Sequence, residues 1–144
     1  MTEVGLEALM SLPVACELST KLPMADHSVA LARSQTRSRL TAWHWPGDVD
    51  DAALIVSELV TNAVTHAQGA DRLLTLRLAV LESGELVIDV SDPVPEFPGY
   101  GEPVALGAIG ESGRGLHLVL ALCRHMEWFP CDDGKTVRVF VTTG

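Results

Sequence analysis

The 144-residue sequence predicts an α+β fold, a two-layer sandwich of a mostly antiparallel mixed sheet with three main helices on one face. Three observations lead there. Two helical segments precede the first hairpin. Two hairpins then follow, separated by a proline- and glycine-rich loop and a third helix. Strict β-α-β-α alternation is missing, which argues against a doubly wound Rossmann fold. The length suits a single domain over residues 1–144.

The elements are justified in order. VACELST (14–20) reads as a first strand. Asp26 is an N-cap for a helix that runs to about Leu40. TAWHWPGD (41–48) is a loop punctuated by Pro46-Gly47, and Asp48 caps a second helix that runs to about Ala67. Gln68-Gly69 ends it, with Gly69 suited to the left-handed position after a helix. LLTLRLAV (73–80) and the β-branched LVIDVSD (86–92) flank Ser83-Gly84 and read as an antiparallel hairpin. Residues 93–112 form a long loop of the kind that serves as a lid or linker. GRGLHLVLALC (113–123) is an apolar helix entered through glycines. MEWF (126–129) and KTVRVFVTT (135–143) are strands joined by a turn at 132–134.

A net charge of −9 and a pI near 4.8 argue against nucleic acid and anionic membrane surfaces as partners. Any phosphorylated ligand must be held by local devices such as a helix N-terminus, a few basic side chains or a metal ion. Cys16, Cys123 and Cys131 lack C-x-x-C spacing, so neither a disulfide framework nor a zinc site is expected. No apolar run approaches the length of a membrane span, and the first residues lack a basic n-region. The expected location is the cytoplasm.

The second helix carries an unusual stripe. In SELVTNAVTH (57–66), Glu58, Asn62 and His66 recur every four residues and stand one above another. Val56, Leu59, Val60 and Ala63 form an apolar stripe beside them. A helix that only fills a core needs the second stripe and not the first. In the strand 86–92, Asp92 shares the parity of Leu86, Ile88 and Val90, so a carboxylate lies at the strand end on the core side. The bland reading is a turn-forming Asp before Pro93.

Four motifs now stand in a fixed order, and together they resemble the GHKL ATPase superfamily of gyrases, Hsp90-type chaperones, histidine kinases and MutL-type repair proteins. SELVTNAVTH resembles its N-box. VSDPVPEFP (90–98) resembles the box whose aspartate reads adenine, GRGLHLV (113–119) the glycine box after the ATP lid, and GKTVRV (134–139) the closing strand with its threonine. Size and spacing resemble the anti-sigma-factor serine/threonine kinase branch. The usual glycines after the aspartate are replaced here by PVPEFP, a D-P-x-P pattern similar to that branch.

The resemblance implies a Bergerat-type ATP-binding fold that uses ATP and Mg²⁺. It implies that Glu58 is the catalytic base and that Asn62 supplies an oxygen ligand to Mg²⁺. It places His66, Asp92, Pro93, Gly113, Arg114, Gly115, Leu116 and Thr136 at the nucleotide, with residues 93–112 as the ATP lid. For Thr136, parity with Arg138 and Phe140 leaves open which sheet face meets the pocket. The implied function is phosphoryl transfer to Ser/Thr of an anti-anti-sigma antagonist, combined with sequestration of a sigma factor. The alternative is an ATP-binding regulatory module of the same fold without transfer. The family also implies a homodimer formed through the sheet edge. The basic cluster Arg33, Arg37 and Arg39 is either a face for an acidic partner or a solvated helix surface.

Overall fold

A computed structural model describes residues 13–66, 72–94, 114–131 and 134–144. The order is β1 (Val14–Pro23), α1 (His27–Ala42), α2 (Val49–His66), β2 (Leu73–Leu81), β3 (Leu86–Asp92), α3 (Arg114–Leu122), β4 (His125–Cys131) and β5 (Gly134–Val141). The strands make one sheet in the order β1-β2-β3-β5-β4, and all four ladders are antiparallel. This is the α+β two-layer arrangement expected from the sequence. Residues 95–113, with most of the expected lid, lie outside the described residues, as do the expected helix end at Gln68-Gly69 and the turn residues 132 and 133.

Local chemistry explains most boundaries. Asp48 caps α2 by accepting the Asp51 N–H at 2.9 Å, and Asp50 and Asp51 place negative charge at the positive end of the helix dipole. Asp26 holds the expected N-cap position before α1, but with helical φ and ψ, and its side chain makes no capping bond. The chain enters α1 instead through Ser28, whose hydroxyl donates to the Pro23 carbonyl at 2.6 Å. At the other end α1 closes in a Schellman arrangement. The Trp45 N–H reaches the Leu40 carbonyl, the His44 N–H reaches that of Thr41, and His44 takes the left-handed φ of 56° that glycine usually supplies. β1 is longer than expected because its pairing with β2 continues to Pro23↔Leu73.

The core lies between the helices and one sheet face. Ala52, Ile55, Val56, Leu59, Val60 and Ala63 of α2 meet Leu74, Leu76 and Leu78 of β2, Leu86, Ile88 and Val90 of β3, and Val137, Val139 and Val141 of β5. Each fully buried Leu, Ile or Val stabilises the fold by about 1.5–3 kcal/mol relative to exposure. This face positions the site: α2 is held on the sheet by its apolar stripe, so its polar stripe is turned toward α3, which packs against it. Trp45 fastens the loop before α2 to the β2–β3 turn, its indole N–H donating to the Gly84 carbonyl at 2.8 Å. That turn uses Gly84 at a φ of 95°.

The opposite sheet face carries a buried polar network. Arg138 grips Asp89 with two parallel bonds of 2.8 and 2.9 Å, and its guanidinium lies 5.0 Å from the centre of the Phe129 ring. Arg77 extends the network to Glu17 at 2.7 Å.

Candidate functional site

The polar stripe of α2 meets the start of α3. Glu58, Asn62, His66, Gly115 and Leu116 line one cavity of about 170 Å³. Within it Glu58 packs on Gly115, where an added Cβ would lie 2.2 Å from the Glu58 Oε2. Only a glycine lets the carboxylate sit there. Leu116 is buried and anchors the first turn of α3. Gly113 and the side chain of Arg114 lie outside the described residues.

Two features of this cavity fit a phosphorylated ligand with a divalent cation. Among the described residues the buried Nδ1 of His66 has no hydrogen-bond partner, and such an atom can accept or donate to a polar ligand. The start of α3, free of any side chain at Gly115, presents backbone N–H groups that have no intrahelical acceptor. Among the described residues no three His, Cys, Asp or Glu side chains gather as a ready metal cage. Any Mg²⁺ held here would therefore rely on the Asn62 amide oxygen together with phosphate oxygens.

Asp92 lies at a second cavity, which shares no lining residue with the first. It ends β3 on the helix-facing side, as its parity predicts, and is 7% exposed. Its carboxylate is already engaged. Oδ1 accepts the Val94 N–H at 2.8 Å, and the ammonium of Lys135 stands 3.0 Å from both Oδ1 and Oδ2. Lys135 also donates to the Val94 carbonyl at 3.0 Å. Half-buried Pro93, Asp92, Gly134 and Lys135 line a cavity of about 410 Å³ together with Lys21, Thr75, Ser91 and Cys131, so it opens at the strand ends toward the helix-free face.

Thr136 lies on the sheet face away from the helices, which settles the side its parity left open. It lies opposite Ser91 on the helix-free face, where its hydroxyl shares hydrogen bonds with Ser91 Oγ at 2.7 Å and Cys131 Sγ at 3.0 Å. Lys135 stands beside Asp92 instead, and the sequence held the signal for it. Val137, Val139 and Val141 are core residues, so Lys135 shares their parity and points the same way as Asp92. Among the cysteines, burial pushes the Cys123 thiol above its ordinary 9.0, which suits an inert packing residue. Of the basic cluster, Arg37 is paired with Asp50 across α1 and α2.

The histidine kinase-like ATPase domain family matches residues 22–141. The chain belongs to that family. The match contains the whole of α2, β3, α3 and β5, the elements that carry the site. This ATPase domain is 31% identical over 103 residues to the serine-protein kinase RsbW of Bacillus licheniformis, a match that covers 64% of the chain and 63% of the kinase. It is 39% identical over 83 residues to the Streptomyces coelicolor protein SCO4941, covering 58% of the chain and 77% of that protein. Among solved structures, the RsbU and RsbW domains of Rv1364c from Mycobacterium tuberculosis superpose with a TM-score of 0.65 at 20% identity, over 89% of this chain and 32% of that one. The histidine kinase domain of the Erythrobacter litoralis EL346 blue-light activated kinase gives 0.50 at 24% identity, over 66% and 44%. These likenesses show the Bergerat-type fold.

Among the described residues no helix is long and apolar enough to cross a membrane.

Proposed function

We propose that this domain binds ATP with Mg²⁺ and transfers the γ-phosphate to a Ser or Thr of a partner antagonist protein, while also sequestering a sigma factor in the manner of the anti-sigma kinases it resembles. The observation that carries the reading is the closure of Glu58, Asn62 and His66 over Gly115 in one cavity. The first two supply a proton acceptor and a hard oxygen ligand, and the third supplies an orphaned ring nitrogen.

The residues divide the work. Bound Mg²⁺ would neutralise charge on the phosphates. Asn62 orients its amide oxygen toward that cation. Glu58 takes the proton of the attacking hydroxyl, and its contact with Gly115 holds it against the start of α3. The N–H groups at the start of α3 would receive the phosphate oxygens, with buried Leu116 anchoring that turn. His66 offers a polar contact from the same α2 face. Asp92 and Pro93 bound the base end, and Thr136 supports it indirectly through Ser91. Among the described residues β1 and β4 stand at the sheet edges, and a homodimer would form through one of them.

The test is radiolabelled γ-phosphate transfer to candidate antagonist proteins beside calorimetric titration with MgATP. Glu58→Gln should keep binding and lose transfer. Asn62→Ala should lose both. Binding without transfer by the unmodified chain would select the regulatory-module alternative.

A further inference from the structure

We infer that Lys135 is a built-in competitor for the carboxylate that reads the base, so that the Lys135–Asp92 pair sets nucleotide affinity in this chain. The inference rests on the nucleotide reading above and concerns its base end. In the β3–β5 ladder Asp92 lies directly opposite Lys135, and both side chains are 2% exposed. The ammonium is 3.0 Å from each carboxylate oxygen, and the Val94 N–H takes a further position on Oδ1. A carboxylate offers about four lone-pair sites. Most of those on Asp92 are therefore occupied from within the chain.

The chemistry of the occupant matters. An ammonium is donor-only, as is the exocyclic amine of adenine toward a carboxylate. The two compete for the same oxygens and cannot complement each other. The pair is also buried, so water does not screen it as it would a surface ion pair. A base that seeks Asp92 must draw a carboxylate oxygen away from the ammonium. Lys135 has a second acceptor within reach, the Val94 carbonyl at 3.0 Å. The ammonium can rest there while Asp92 turns to the ligand, which makes the exchange reversible instead of a permanent block. Val94 follows Asp92 by two residues, so the resting place lies at the start of the segment that leads to residues 95–113.

The consequence runs against the usual effect of removing a cation from a site for an anionic ligand. Loss of the Lys135 ammonium should strengthen ATP binding, because the carboxylate is released. Lys135→Met keeps the aliphatic stem. Lys135→Thr replaces it with a short β-branched residue suited to a strand, and carries the test if the Met variant does not fold. Each is titrated calorimetrically with MgATP and with Mg-inosine triphosphate, which has the same phosphates and a carbonyl in place of the amine. Circular dichroism melts confirm folding.

The expected result is ATP binding tightened by roughly tenfold to a hundredfold, as for a freed charge-assisted hydrogen bond, with no comparable gain for inosine triphosphate. Unchanged or weaker ATP binding in a folded variant would overturn the proposal, and a weakening would make Lys135 a direct contact of the base. An equal gain for both nucleotides would overturn it too. Failure of the wild type and both variants to bind either nucleotide would instead remove the nucleotide reading itself.

Discussion

Gly115→Ala isolates the contact on which the proposed chemistry depends. The new Cβ would stand 2.2 Å from Glu58 Oε2 and 3.2 Å from its Cδ. Ordinary van der Waals contact requires the carboxylate oxygen to retreat by about an ångström. The obstacle is the far end of a flexible side chain, so the fold can yield. An off-rotamer Glu58 costs about 0.5–1.5 kcal/mol, and replacing a helical glycine by alanine returns up to about 1 kcal/mol. Net stability should therefore stay within about 1 kcal/mol of wild type by urea denaturation. Catalysis has no such compensation, because misplacing a reacting group by about 1 Å costs on the order of a hundredfold in rate. Single-turnover phosphoryl transfer should fall by about that factor, with a smaller change in ATP affinity. Full transfer activity in Gly115→Ala would refute the placement of Glu58 as the base. A loss of several kcal/mol in stability would show that Gly115 serves packing instead.

Three further outcomes follow from the geometry. Arg138→Met should destabilise the fold by about 2–4 kcal/mol by removing both hydrogen bonds from buried Asp89 and leaving it only the Arg77 guanidinium 3.8 Å away, and the double variant with Asp89→Leu should recover much of that; equal stability of single and double variants in urea melts would contradict it. Gly134→Ala would set a Cβ 1.9 Å from the Asp92 carbonyl oxygen, a backbone atom that cannot swing aside. It should cost about 2–4 kcal/mol and lower the melting temperature, and an unchanged Tm would show that the β3–β5 end has more room. Exposed Cys131 should react with iodoacetamide well before Cys123, whose thiol burial raises above its usual 9.0, and peptide mapping of partly labelled protein reads the order directly.

Periodicity exposed much of this architecture in the sequence. The 3.6-residue period of α2 separated its apolar and polar stripes, and the two-residue period of β3 placed Asp92 on the core side; both hold in the structure. The Asp48 cap and the Ser83-Gly84 turn were legible because their residue types have few other uses. What escaped depends on pairing between distant segments. Asp26 looked like a cap, but Ser28 found the Pro23 carbonyl first. The β1 end at Pro23 is set by its ladder with β2. For Thr136 the strand pattern left two faces open. The β3–β5 register sends it to the helix-free face and puts Lys135 beside Asp92. The Asp89–Arg138 pair was invisible for the same reason, since 49 residues separate its members. Local patterns thus revealed the polar stripe of α2, which lies on one helix. The surroundings of Asp92 needed the register of two strands.

The most direct test of the account is calorimetric titration of MgATP into the wild-type chain, carried to millimolar concentration and repeated with Asn62→Ala and Lys135→Met. The account predicts saturable binding to the wild type, loss of binding in Asn62→Ala and tighter binding in Lys135→Met. Well-folded protein that binds no ATP in either the wild type or Lys135→Met would contradict it, and would leave the stripe of Glu58, Asn62 and His66 without a nucleotide to serve.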